Sequence, residues 1–557
     1  MEKRYVIGLD YGTLSCRCIL VDADTGETVA ESVRDYPHGV MDEVLPDGQR
    51  LPPQWALQHP ADYPEVMQKT VPDVLRKAGV RASDVKGIGI DFTACTLLPV
   101  DGNGVPLCCL PEWEHEKHAY VKLWKHHAAQ GQADRINALA ERMGETWIHR
   151  YGGKLSSEFA LPKLLQTLEE APEVYRAAAR FLEAGDWMSW LLTGEETHSA
   201  VFAGYKAAWS AESGYPSNAF FRALDPRLDG VVGSRLSEKV LGVNHRAGTL
   251  NAHGAELVGL PKGTPLALPM IDAHAAMPAL GVTGDWELML IIGTSACQIV
   301  NAREDRQING ICGSVRDGVI SGFYTYEAGQ AGVGDIFDWF VRACVPASYA
   351  EEAAKRGIGL HQLLREKAER QKPGESGLLA LDWWNGNRSV LVNAELSGML
   401  LGMTLSTKPE DIYRALIEAT AYGLRVIAER YEEGGVAIDR IVASGGIAQK
   451  DAMMMQIYAD VLGRPIRIGG TTQSGALGSA IYAAVAGGIY PDVQSAAKRM
   501  AKPGEKLYSP NPEHHRRYTE LYALYRQLHD LFGRDTEIME RLKRFGTQEE
   551  RATTQVI

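Results

Sequence analysis

The chain has 557 residues, more than a single core ordinarily organises, so two large domains are expected. With 45% hydrophobic and 23% charged residues it has the composition of a soluble globular enzyme. A net charge of −12 with scattered Lys and Arg (the stretch "HHRRY" is the nearest approach to a basic cluster) argues against a nucleic-acid partner, which needs a face that neutralises phosphates.

The N-terminus, "MEKRYVIGLDYGT", lacks an apolar signal region, and no stretch approaches bilayer-spanning length, so a cytoplasmic protein without membrane association is expected. The eight cysteines, at positions 16, 18, 95, 108, 109, 297, 312 and 344, form neither a CxxC pair nor a zinc pattern and read as reduced, mostly buried thiols. "YVIGLDYGTLSCRCILVDADTGETV" predicts a β-hairpin leading to a third strand. A helical region near Pro64–Ala78 follows, then "VKGIGIDFTACTLLPVD", a buried strand running into extended chain. "EHEKH" at Glu114–His118 resembles a metal motif, but its histidines are three apart rather than four, and a solvated helix face is the better reading.

After Gly281 the order repeats. "WELMLIIGTSACQIVNA" is strand, turn, strand; "KPEDIYRALIEATAYGLRVIAERYEEGG" has a helical period; "IDRIVASGGIAQKDAMMMQIYADVLGRPIRI" is strand, Gly-Gly turn, helix and short strand. The halves share a pattern rather than residues, which predicts two related α/β domains facing each other across a cleft, joined near Gly281–Trp286. The boundaries are 1–282 and 283–545. "YTELYALYRQLHDLFGRDTEIMERLKRF" is an amphipathic helical stretch expected to pack on the second domain, and residues 546–557 form a polar tail.

Three glycine turns and one acid carry the chemistry. In "DYGT", Gly12 permits a tight turn with N–H groups facing an anion, Thr13 adds a hydroxyl, and Asp10 can hold magnesium. "GTS", Gly293, Thr294 and Ser295, offers the same donors on the other half; "SGG", ending in Gly445 and Gly446, leaves room for a flat ligand. Singly each is an ordinary turn; together they fit a nucleotide bridging two domains. Asp272 lies in the apolar run "LPMIDAHAAMPALG", where it is either a helix N-cap or a base shielded from water.

With these motifs and "SGMLLGMTLSTKPEDIYRALIEATAYGLR", read through Gly398, Gly402, Asp411 and Glu418, the chain resembles the FGGY carbohydrate kinases of the actin/hexokinase/heat-shock-chaperone superfamily. The resemblance spans roughly residues 3 to 545 and includes "YGGKLSSEFALPKLLQTLEEAPEVY", "AGYKAAW", "YEAGQAGVGDIFDWF" and "LDWWNGNR". It implies two actin-like (ribonuclease H-like) α/β domains around a central cleft, and transfer of phosphate from ATP, with Mg2+, to the 5-hydroxyl of ribulose in L-arabinose catabolism. It implies Asp272 as general base; Asp10, Gly12, Thr13, Gly293, Thr294, Ser295, Gly445 and Gly446 on ATP; Asp10 on the metal; and Ala94, Lys206, Asp272 and Glu327 at the sugar. A homodimer is among the assemblies it admits. Asp451, Gln473 and His126 depart from the family pattern, the last on a stretch taken as helical.

Taken alone, Lys206 reads as a snorkelling lysine, Glu327 as a turn cap and His274 as a hydrogen-bonded core histidine. Trp383, Trp384, Asn387 and Arg388 read as buttresses of the second domain without chemistry. The competing functions are an FGGY kinase of xylulose, ribitol or glycerol and, from another class, an ATP-dependent switch protein, which lacks support because no β-rich substrate domain is appended.

Overall fold

The computed structural model describes residues 3–545; the polar tail lies outside the described residues. The chain opens with β1 (Tyr5–Tyr11), β2 (Ser15–Asp22) and β3 (Thr28–Asp35), the expected hairpin and third strand. Then come α1 (Asp62–Ala78) and β4 (Val85–Phe92), which pairs parallel to β1. β1 and β4 are apolar almost throughout because both faces of the sheet are covered, whereas β3, at the sheet edge, is mostly exposed.

Further along, α2 (Ala200–Lys206) precedes β5 (Arg246–Thr249), β6 (Pro265–Ala267), β7 (Met270–Ile271) and α3 (Asp272–Ala279). The first sheet is ordered β5-β6-β4-β1-β2-β3, with β7 added beside the end of β4. The second half supplies β8 (Glu287–Ile292), β9 (Ala296–Ala302), β10 (Gly313–Arg316) and β11 (Tyr324–Gln330). The 25-residue α4 (Pro409–Glu433), β12 (Arg440–Ser444), α5 (Gly446–Lys450), α6 (Ala452–Leu462) and β13 (Ile466–Ile468) follow. Last come α7 (Ser474–Ala486), β14 (Leu507–Tyr508) and α8 (Pro512–Asp530). The second sheet runs β10-β11-β9-β8-β12-β13-β14. Each sheet thus contains an antiparallel hairpin beside a parallel strand, β2-β1-β4 and β9-β8-β12. This is the repeated α/β pattern expected from the sequence. α8 packs into the second core through Tyr518, Tyr522 and Tyr525.

Two features were not legible in the sequence. Residues between β3 and α2, joined by a stretch after α2 that includes Phe220, Phe221 and Leu236, build a third apolar cluster around a small sheet of Leu57–Gln58, Leu97–Val100, Val121–Lys122 and Arg180–Glu183. And α7, although late in the chain, packs into the first core: Ala476, Ala480 and Ala483 belong to the same cluster as Ile7, Leu9 and Ile90.

The "EHEKH" segment is a turn leading into a short 3-10 helix at Lys117–Ala119, not a helix face. Its first histidine, His115, is exposed, but His118 is buried with Nδ1 3.2 Å from Lys122 Nζ, and Lys122 is itself buried. His126 lies on irregular chain, not a helix. Burial holds its pKa down at about 2, and its Nε2 pairs with Gln166 at 2.9 Å.

Candidate active site

Strand register assembles three acids. Asp10 on β1 is the direct partner of Asp91 on β4, and β7 pairs Met270 with Asp91 and Ile271 with Phe92, so Asp272 emerges beside them as the first residue of α3. Asp272 is half-buried and its Oδ1 accepts the N–H of Ala273 at 2.6 Å. The capping arrangement expected as its alternative role is therefore only local, and the carboxylate is held at the helix start rather than consumed there. Burial, then the charge of Asp10, lift the Asp272 pKa to about 7. Asp10 is likewise raised by burial, against the pull of Asp91 and of Arg17, its cross-strand partner on β2.

Asp91 was missed in the sequence, although a lone acid in "GIGIDF" is the same signal that singles out Asp272. It is fully buried, its Oδ2 accepts from Ser479 Oγ on α7 at 2.6 Å, and its Oδ1 has no hydrogen-bond partner. Burial and the neighbouring Asp10 hold its pKa well above the usual carboxylate range. Asp10 and its register partner Asp91, with one orphaned buried oxygen, offer the hard oxygen donors that a magnesium ion takes.

The helix α7 fixes this corner. A Cβ on Gly478 would stand 1.7 Å from the carbonyl oxygen of Ala275 on α3, and one on Gly475 would stand 3.2 Å from Asp10 Oδ2. Side chains at either place would push the acids apart.

A second group lies where the two halves meet. Lys206, at the end of α2, and Glu327, on β11, are both buried, with Nζ 3.4 Å from Oε2. Lys206 also sits 5.4 Å over the ring of Phe159. His274, two residues beyond Asp272, is buried with Nε2 3.4 Å from Glu327. It is a core histidine but not a hydrogen-bonded one, since neither ring nitrogen has a hydrogen-bond partner; burial lowers its pKa to about 4 and keeps it neutral. Burial would raise Glu327, but the charges of Lys206 and, after it, Arg388 bring it below the usual range, and Glu327 in turn lifts Lys206 against its own burial. Lys206 and Glu327 are thus an ion pair joining the two halves rather than a snorkelling lysine and a turn cap. Ala94, half-buried after β4, packs against both the first core and the third cluster, and the thiol of adjacent Cys95 feels the charge of Lys206.

The turns are placed as follows. Gly12 donates to Ser15 O at 3.0 Å, closing the β1–β2 hairpin; Thr13 accepts from Gln58 Nε2 on its carbonyl at 2.7 Å and from Trp124 Nε1 on its hydroxyl at 3.2 Å. Gly293 donates to Ser295 O at 2.9 Å, and Thr294 O accepts from Val333 N–H at 2.7 Å. Gly445 has φ +101°, and a Cβ there would lie 2.2 Å from Ile292 O, so the Gly445–Gly446 turn abuts the end of β8 just before Gly293. Of the departures, Asp451 caps α6 by accepting from Met454 N–H at 2.9 Å, and Gln473 hydrogen-bonds Glu31 on β3, tying the start of α7 to the first sheet.

The sequence matches the N-terminal domain of the FGGY family of carbohydrate kinases over residues 5–279 and the C-terminal domain over residues 288–487. It is 49% identical over 549 residues to a protein named ribulokinase from Geobacillus thermodenitrificans, covering 98% of this chain and 97% of that one. With a ribulokinase from Mycolicibacterium smegmatis the identity is 46%, covering 99% and 98%. Among solved structures, a xylulose kinase from Rhodospirillum rubrum superposes with a TM-score of 0.80 at 24% identity, covering 95% of this chain and all of that one, a likeness of fold.

Proposed function

The chain belongs to the FGGY family of carbohydrate kinases, and from that premise we propose that it transfers the terminal phosphoryl group of ATP to the 5-hydroxyl of ribulose. Relatives named ribulokinase at 46–49% identity over nearly the whole chain support the substrate, and with it a place in L-arabinose catabolism. The observation that carries the chemistry is the position of Asp272: a carboxylate poised near neutrality, beside Asp10 on one side and the Lys206–Glu327 pair on the other.

In this reading the sugar lies against Ala94, Lys206 and Glu327 and presents a hydroxyl to Asp272, which orients it and takes its proton. Gly12, Thr13, Gly293, Thr294 and Ser295 hold the phosphates, and Gly445 and Gly446 the adenosine side. Asp10, with Asp91 behind it, would hold magnesium, which would supply positive charge against the triphosphate. The division at 282/283 is retained for two working units, except that α7 from beyond it packs into the first, and Gly281–Asp285 is taken as the hinge about which they close to exclude water. Eight unpaired thiols fit a reducing, cytoplasmic setting, and a homodimer is the assembly to test by sedimentation. No helix among the described residues is long and apolar enough to cross a membrane.

The deciding experiment is a coupled ADP-release assay with ribulose, xylulose, ribitol and glycerol. Dependence on ribulose above the others is the expected result; equal or better turnover of another acceptor would replace the substrate, and ADP release that ignores every sugar would replace the enzyme with a switch.

A further inference from the structure

Arg388 follows the Trp383–Trp384 pair, where the sequence suggests only a buttress. Its surroundings are not those of a structural arginine. It is half-buried, and among the described residues neither a hydrogen bond nor an ion pair within 4.0 Å holds its guanidinium. By contrast Arg414, also inside the second half, is fastened to Glu418 at 2.8 Å, to Ala368 O and to Tyr518.

Its place is set by β11. Side chains two apart on a strand share a face, so Gly329 is on the face of Glu327. A Cβ on Gly329 would lie 3.4 Å from Arg388 Cδ and 3.6 Å from its Nη1, so the arginine lies over that glycine. Across the ladder Glu327 pairs with Ile299 and Gly329 with Cys297, two residues from Ser295. Moving along one face from Glu327 therefore leads past Arg388 to the Gly293–Ser295 turn. The guanidinium stands between the groups assigned to the sugar and the groups assigned to the phosphates. The nearby Cys297 and Cys312 thiols are pushed up by burial and stay neutral. Burial works against the charge of Arg388, and Glu158 from the first half and Glu327 more than offset it, so it stays a cation throughout.

We propose that Arg388 is a catalytic cation that meets the oxygens of the phosphoryl group in transit. The proposal rests on the kinase reading above. As the acceptor oxygen–phosphorus bond forms, the bond from that phosphorus to the β–γ bridging oxygen breaks, the electron pair leaves with ADP, and the hydroxyl proton passes to Asp272. Arg388 exchanges no proton; its planar fork faces the three equatorial oxygens, over which charge is spread in a loose transition state.

The test compares the full-length wild type with Arg388→Met and with Arg388→Gln, which keeps hydrogen bonding but not charge, so that one variant remains if the other folds poorly. Two quantities are read: steady-state constants with ribulose, and the affinity for MgADP with and without aluminium fluoride and ribulose, a mimic of the transferring group. Expected are a fall in kcat of about 10²–10³-fold, MgADP affinity within about two-fold of wild type, and loss of the fluoride-dependent tightening. A variant that tightens as the wild type does, or that raises KM for ribulose with kcat unchanged, overturns the proposal and makes Arg388 a sugar contact or a strut. If the wild type itself neither phosphorylates ribulose nor tightens with fluoride, the kinase reading fails first, and the proposal with it.

Discussion

Lys206 Nζ stands 3.4 Å from Glu327 Oε2, and the two residues come from different halves of the chain, so one buried ion pair joins the sugar-side helix to the second sheet. A pair taken out of water is worth little over an apolar substitute, but a single survivor is costly. Lys206→Met should therefore destabilise the protein by about 3–5 kcal/mol, because the neutral His274 cannot replace the lost charge and Arg388, the other cation acting on Glu327, forms no ion pair with it within 4.0 Å among the described residues. Glu327→Gln added to Lys206→Met should restore most of that loss. Urea unfolding of the two single variants and the double variant measures the coupling.

Gly478 tests the mechanical support of the acids. With a Cβ there 1.7 Å from Ala275 O, alanine forces α7 away from α3, and backbone on both sides leaves no flexible side chain to yield. Gly478→Ala should cost about 1–3 kcal/mol or more as overpacking, and should lower kcat beyond what stability explains, because α3 begins with Asp272 and Ser479 holds Asp91. Alanine at Gly359, where nothing lies within 4 Å and φ is −74°, is the control for thermal melts.

The raised pKa of Asp272 has two consequences of opposite use. As a base it works ionised, so kcat/KM for the sugar should fall about tenfold per pH unit below about pH 7 and level off above it. As a folded-state acid it binds its proton more tightly than the unfolded chain, whose carboxyl titrates near about 3.9. Its contribution to stability is thus complete below about pH 4 and is lost as the pH rises to about 7. Asp272→Asn should consequently melt higher than the wild type at pH 8, with the gap closing as the pH is lowered. A gap independent of pH would remove the desolvated carboxylate from the description.

The burial of Asp272 was legible because a lone acid in an apolar run is expensive, and the three turns because glycine beside Ser or Thr marks a tight turn, although the Gly12 and Gly293 N–H groups close their own hairpins on Ser15 and Ser295. The order of hairpin, helix and strand, repeated once, was enough to anticipate two α/β units. What was not legible depends on contacts between distant segments. Asp91 is one strand over from Asp10, a fact of parallel register that no local pattern encodes. α7 follows the second sheet in the chain yet packs on the first, so its Gly475 and Gly478 carry no meaning until α3 is in place. His118 and Lys122, which read as solvated, are buried because residues on both sides of α2 in the chain form a third cluster. Lys206 and Glu327 each suggest an ordinary surface role, and their pairing appears only when the halves meet.

The account stands or falls on the proton acceptor. Single-turnover and steady-state phosphorylation of ribulose by Asp272→Asn, alongside its affinity for MgADP, measures it directly. A kcat lower by about 10²–10⁴-fold with nucleotide affinity nearly unchanged is the expected result; a variant that turns over ribulose at the wild-type rate would contradict it.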